Sequence, residues 1–248
     1  MTRAARSLHW LILGLLTMAT ACGGEGNAMD KVEAAFGSGP VAEMARAIAD
    51  GDEGRIRVLA PRTDLRARGD RGVTLLEWAV LNRRPASLET LLELGADPAQ
   101  PGLDGATVVH LAAMADDPQY LRILLARGAD PDTPHAETRA TPLAAALMGE
   151  REAQFEMLLD AGADPDAADR LGNTPLHVAA KLNEPGRALR LLQAGADRHA
   201  RNGQGADFLR YLDMTPAGVR SAQARAEREA LDLWLRQQDG APAARQVH

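Results

Sequence analysis

Between residues 70 and 200 the chain alternates short apolar stretches with polar, turn-forming ones in a fixed rhythm. Each cycle opens on a Thr, at Thr74, Thr107, Thr141 and Thr174, with intervals of 33, 34 and 33 residues. A Thr hydroxyl there can accept from the free N–H groups of a helix start. Pro142 and Pro175 follow two of these at the first helical position, where a missing N–H costs nothing. A short Ala-rich helix comes next, as in Leu176-His177-Val178-Ala179-Ala180. A second, more apolar helix is predicted around Leu88/Leu91/Leu92, Leu121/Leu124/Leu125, Phe155/Leu158/Leu159 and Leu189/Leu191/Leu192, from their helical spacing. Gly95, Gly128, Gly162 and Gly195 stop those second helices, where a left-handed backbone suits glycine. Each opens a Gly-Ala-Asp triplet, again 33, 34 and 33 residues apart.

Two markers in one phase mean repeated helical hairpins. A single hairpin cannot bury its apolar face, so such units stack. The fullest copy runs Asp169-Arg170-Leu171-Gly172-Asn173-Thr174-Pro175-Leu176-His177-Val178-Ala179-Ala180. The others drift: Thr74-Leu75-Leu76-Glu77-Trp78-Ala79, Thr107-Val108-Val109-His110-Leu111-Ala112 and Thr141-Pro142-Leu143-Ala144-Ala145-Ala146. These stretches resemble the ankyrin repeat, whose marks are T-P-L-H-x-A-A and L-L-x-x-G-A-D. The resemblance implies an all-α repeat solenoid, an ankyrin stack of helix-turn-helix repeats with projecting β-turn fingers and a C-terminal capping helix. The expected organisation is a signal peptide over 1–21, a lipidated N-terminus and linker over 22–40, and an ankyrin repeat domain over 41–213. Its repeats fall at about 41–69, 70–102, 103–135, 136–168 and 169–201, with a partial one at 202–213. A capping helix over 214–239 and a disordered tail over 240–248 follow. Val219, Ala222, Ala226, Ala230 and Trp234 share one face of that helix and are expected to cover the last repeat.

The resemblance also implies residue roles. Thr74, Thr107, Thr141, Thr174, Gly95, Gly128, Gly162 and Gly195 are structural repeat positions. So are His110 and His177, which in the family bond to neighbouring loops. In ankyrin proteins, partners are gripped by fingertips and by the ends of the first helices. Carried onto this chain, the fingertips are Arg71, Val73, Leu103, Asp104, Glu137, Thr138, Arg170, Leu171 and Asn173. The first-helix positions are Leu81, Asn82, Met114, Met148, Lys181 and Leu182. Trp78 falls one step past the His-equivalent Glu77 and is expected to pack inside.

The N-terminus changes where this surface is expected to work. Arg3 and Arg6 precede the apolar run Leu11-Ile12-Leu13-Gly14-Leu15-Leu16, then Ala19-Thr20-Ala21 and the chain's lone cysteine, Cys22. That order reads as an export signal, and the run is far shorter than the ~20 residues that span a bilayer. It resembles a bacterial lipoprotein signal, in which a peptidase cuts before a Cys that receives diacylglycerol. Ala19 stands where that signal usually has Leu. Ala19-Thr20-Ala21 also fits ordinary signal cleavage, which would release a soluble periplasmic protein. The lipid reading is the expectation, because the one Cys sits where that chemistry needs it. Gly23-Gly24-Glu25-Gly26-Asn27 then forms a short flexible tether.

Charge and motifs narrow the function. Net charge is −6, and removing Arg3 and Arg6 with residues 1–21 gives −8. An acidic chain without a basic tract lacks the Lys and Arg that nucleic acid binding draws on. Neighbouring acids, Asp130 with Asp132 and Asp164 with Asp166 and Asp169, are read as turn formers. A calcium loop would need a third ligand where Ala168 stands, and a downstream Glu. No Walker loop, C-x-x-C, H-E-x-x-H or nucleophile elbow occurs. The expectation is a monomeric, non-catalytic module with no cofactor or metal, binding another protein on the periplasmic side of the bacterial envelope. The alternatives are an immunity or inhibitor lipoprotein against an exported toxin, and a protective factor for an envelope enzyme.

Overall fold

The computed structural model describes residues 28–216 and 221–240. Helices α1 (Ala28–Phe36), α2 (Pro40–Asp50) and α3 (Glu53–Leu59) come first. Four hairpins follow: α4 (Leu75–Leu81) with α5 (Pro85–Glu93), α6 (Val108–Met114) with α7 (Gln119–Ala126), α8 (Pro142–Met148) with α9 (Glu152–Asp160), and α10 (Pro175–Lys181) with α11 (Pro185–Gln193). Helices α12 (Phe208–Asp213) and α13 (Ala222–Gly240) complete the order. The inner helices α2, α4, α6, α8, α10 and α12 pack in file, and each outer helix backs its own inner one.

The caps are those the sequence supplies. Thr74, Thr107, Thr141 and Thr174 are the N-cap residues of the four inner helices, each in an extended conformation. Gly95, Gly128, Gly162 and Gly195 follow the outer helices at φ between 79° and 102°. The core behind them is aliphatic: Leu88, Leu91, Leu121, Leu124, Phe155, Leu158 and Leu191 are fully buried. Each contributes roughly 1.5–3 kcal/mol. Ala45, Ala79, Ala112, Ala146 and Ala179 lie at the inner-helix contacts with almost no exposure, so the backbones approach closely.

Helices α2 and α3 pack as a hairpin ahead of these four. Gly51 ends α2 in the left-handed conformation at φ 73°, and the Asp52 carboxylate caps α3 by accepting from the Arg55 N–H at 2.8 Å. Trp78 packs inside as expected. Its Nε1–H donates to the Ala45 carbonyl at 2.9 Å, and its ring meets Phe36 edge-on at 5.3 Å.

Two ends differ from the sequence reading. Residues 28–36, given there to a linker, form α1, because buried Val32 and half-buried Phe36 cover the open edge of the first hairpin. Gly69 permits this: a Cβ there would sit 2.5 Å from the Ala35 carbonyl oxygen. At the far end, the expected face of the capping helix is wrong. Ala222, Ala226 and Ala230 are exposed. Leu231 is fully buried, with Trp234 and Leu235 packed beside it. Arg228 turns inward to Asp213 and Asp232, at 2.9 Å each, and Glu227 lies over Gly186. Val219, Cys22, the signal segment, the tether and residues 241–248 lie outside the described residues.

Candidate protein-binding surface

The finger loops are built by one device used three times. A side chain at the loop entry accepts from the N–H groups of the turn ahead of it. Asp169 Oδ1 accepts from Leu171 and Asn173 at 2.8 Å each. Asn202 Oδ1 accepts from Gln204 at 3.0 Å and Ala206 at 3.2 Å. His135 Nδ1 accepts from Glu137 at 3.2 Å and Thr138 at 3.3 Å. The loop at 102–106 has Gly102 there and no side chain to offer. The carboxylate of Glu77 reaches in from α4 instead, accepting from the Leu103 N–H at 3.0 Å and the Thr74 N–H at 2.9 Å. Backbone bonds then link finger to finger: Ala136 N–H to Gly105 at 2.8 Å, Arg170 N–H to Thr138 at 2.7 Å, and Gly203 N–H to Leu171 at 2.8 Å.

His110 and His177 act as braces. Each Nδ1 faces the N–H of its own cap, Thr107 or Thr174, at 3.3 Å, so Nε2–H donates to the next loop's carbonyl. Those carbonyls are Ala140 and Ala206, at 2.9 Å each. Burial holds His110 down to about 4 and also lowers His177 and His135. All three therefore stand neutral near pH 7, which suits bracing rather than proton transfer. Burial pushes Glu77 above the usual carboxylate range, against the N–H donors of Thr74 and Leu103 that favour its charge.

The structure separates the sequence-derived contact positions. Val73, Leu103 and Asn173 point inward and are corrected to structural residues. Val73 and Leu103 join the core. Asn173 donates to Asp169 at 2.9 Å and accepts from Asn202 at 2.9 Å. The side chains left outward on the fingers are Arg71 and Asp104, paired with each other across neighbouring fingers, then Glu137, Arg170 and Leu171. Leu171 is 72% exposed, which is unusual for Leu on so ordered a loop. Thr138, Leu81, Asn82, Met114, Met148 and Leu182 are half-buried along the groove. Lys181 is exposed, with Nζ 4.7 Å above the Tyr211 ring.

The acids of the turns are occupied by backbone. The Asp132 carboxylate accepts from the Asp164 N–H at 3.0 Å, and Asp166 Oδ1 from the Asp197 N–H at 2.9 Å, tying the third repeat to the fourth and the fourth to the fifth. Sequence reasoning saw turn formers here and missed this cross-repeat tie, which needs the stacked geometry. Among the described residues no group of three His, Cys, Asp or Glu is placed to hold a metal ion. Nor is any described helix long and apolar enough to cross a membrane.

A scaffold of braced fingers on stacked hairpins defines a class of proteins. The family model for ankyrin repeats (3 copies) matches residues 109–202. Protein PhlB of Serratia liquefaciens is 50% identical over 140 residues, 56% of this chain and 62% of that protein, so the match spans less than two thirds of the relative. Protein fem-1 homolog A of Bos taurus is 53% identical over only 47 residues, 19% of this chain and 7% of that protein. Among solved structures, the ankyrin repeat domain of Bcl-3 superposes with a TM-score of 0.59 at 21% identity, covering 79% of this chain and 99% of that one. EF0377, an ankyrin repeat protein, superposes with 0.64 at 18% identity, covering 79% and 98%. Residues 109–202 thus match ankyrin repeats, and the stack of hairpins has the ankyrin repeat fold. Repeats of this kind make it a protein–protein interaction module.

Proposed function

We propose that this chain is a non-catalytic binding module displayed on the periplasmic side of a bacterial envelope, holding one partner protein through its fingertips and groove. The observation that carries the binding reading is the row of outward side chains Arg71, Asp104, Glu137, Arg170 and Leu171, on loops whose backbones are tied to one another from Gly105 onward and, at Arg71, by its ion pair to Asp104. Loops already ordered cost less to immobilise on binding. Exposed Leu171 beside charged Arg170 supplies apolar area at a polar rim, the composition of a contact patch. Display on the envelope rests on the sequence of residues 1–27. With a lipid on Cys22, only five residues separate the anchor from α1. Their contour limits the reach to at most about 18 Å, holding the N-terminal hairpin close to the membrane.

The test is a crosslinked pull-down of the tagged chain from its own host's envelope fraction, beside a variant carrying Leu171→Asp and Arg170→Glu. One stoichiometric partner lost in the double variant is expected. An inhibited toxin or a protected envelope enzyme would be told apart by that partner's identity. Equal capture by both proteins removes the fingertips from the reading, and no partner at all removes the dedicated module. Intact-mass analysis of the N-terminus checks the anchor: a Met1 start or an unmodified Cys22 refutes lipid tethering.

A further inference from the structure

The hairpin turns at the ends of the inner helices remote from the fingers are not alike. In three repeats the turn closes tightly through a left-handed residue: Arg83 at φ 58°, Glu150 at 56° and Asn183 at 58°. The next N–H then returns to the helix, as from Arg84 to the Ala79 carbonyl at 2.9 Å. The third repeat departs. Ala115 is extended at φ −65° and ψ 153°, and the Asp117 carboxylate accepts from the Gln119 N–H at 2.9 Å just ahead of α7. The carbonyls of Met114 and Ala115 are taken by side chains of the following repeat, Arg151 at 3.0 Å and Gln154 at 2.6 Å.

The opened turn borders a pocket of about 510 Å³ between the second and third repeats. That lies within the ~300–1,000 Å³ usual for ligand sites. Its floor is apolar, formed by Val80, Leu81, Leu111 and Met114. Its polar lining is asymmetric. Asp116 is already paired with Arg151 at 2.7 Å, and Asp117 accepts from the backbone of α7, while Arg83 and Arg84 set positive charge against it beside Tyr120. Two donors have no hydrogen-bond partner among the described residues: the exposed Arg83 guanidinium and the hydroxyl of Tyr120, a residue 5% exposed. The Tyr120 hydroxyl, on a residue that lines the open pocket, is free to donate to an incoming acceptor.

We infer that this notch is a second contact site, taking from the partner protein a bulky apolar side chain beside a carboxylate. The apolar group fills the floor, and the carboxylate accepts from Arg83 and Tyr120. The inference rests on the reading of the chain as a protein-binding module and adds a site away from the fingertips.

The test is two-dimensional ¹H–¹⁵N NMR of the labelled full chain titrated with three synthetic hexapeptides in a Gly/Ser background. The first carries Phe beside Glu, the second Phe beside Lys, the third Ala beside Glu. The first is expected to shift the amides of Leu81, Met114 and Tyr120 saturably, leaving Leu171 and Gly172 unmoved, and to bind at least fivefold tighter than the other two. Arg83→Glu should reverse the preference for Glu over Lys. It keeps the turn, since Glu150 already occupies the same left-handed position one repeat beyond its neighbour. Tyr120→Phe keeps the ring and should weaken the first peptide about fivefold, the loss of one hydrogen bond of ~1 kcal/mol. Equal binding of the three peptides, or shifts confined to the fingers, overturns the notch. A pull-down that still depends on Leu171 then leaves the fingertip reading intact. A notch that binds while no partner is captured separates the two in the other direction.

Discussion

Glu77 and Gly102 form a pair whose energetics can be worked through. Glu77 is fully buried and is the acceptor for the N–H groups of Thr74 and Leu103. Removing it as Glu77→Ala leaves both groups in a dry site. Each unsatisfied donor costs ~1–3 kcal/mol, so the variant should lose about 2–6 kcal/mol. Gly102→Ala attacks the same contact from the other side. Its Cβ would lie 1.9 Å from Glu77 Oε2, and the carboxylate cannot retreat without releasing both N–H groups. Overpacking alone costs ~1–3 kcal/mol. The double variant gives the new methyl group the space the carboxylate left. Its loss should therefore fall short of the two single losses together by ~1–3 kcal/mol. Urea unfolding followed by far-ultraviolet circular dichroism measures all three, with the slope checked for constancy across variants. Additive losses, or a Gly102→Ala variant as stable as the parent, would show that the carboxylate does not hold this loop.

Other outcomes follow from the same geometry. His110, His135 and His177 have folded pKa values below the ordinary 6.5, His110 at about 4. Folding therefore favours their neutral forms, and stability should fall as pH drops from about 6.5 towards 4. Glu77, shifted upward, works in the opposite sense above its unfolded value of 4.5. Thermal melts across that range check the balance, and His110→Asn should flatten the profile; a melting temperature independent of pH would refute the assignment. Trp78→Phe removes the Nε1–H bond to Ala45 and should cost about 1 kcal/mol, read as a lower urea midpoint. Leu231→Ala should cost ~2–5 kcal/mol and raise hydrogen exchange in α11 and α13 first, because repeat stacks fray from their ends; uniform loss of protection along the chain would count against α13 as a cap.

The sequence by itself determined the architecture. The Thr, Gly and apolar markers act through local helix caps and through contacts between successive repeats, and both reach only one repeat along the chain. A periodic sequence therefore dictates a periodic stack, and the four hairpins lie where the markers put them. The rhythm also located the fingers, so Arg71, Asp104, Glu137, Arg170 and Leu171 were legible as outward positions. What the tertiary structure decided is which way the exceptions face. Val73 and Leu103 occupy fingertip positions but are apolar beside a core with room for them, so they turn in. Asn173 turns in because Asp169 and Asn202 offer it partners. The face of α13 is set by Leu231 and by the Arg228 ion pair to Asp213 of α12, so helical spacing alone chose the wrong stripe. Glu77 is a drifted histidine in the sequence. Only the stack shows that Gly102, 25 residues later, leaves the loop donor that makes a carboxylate fit. Caps and periods are local chemistry, readable along the chain; the direction of a side chain is settled by what lies opposite it, and that is known only once the repeats are stacked.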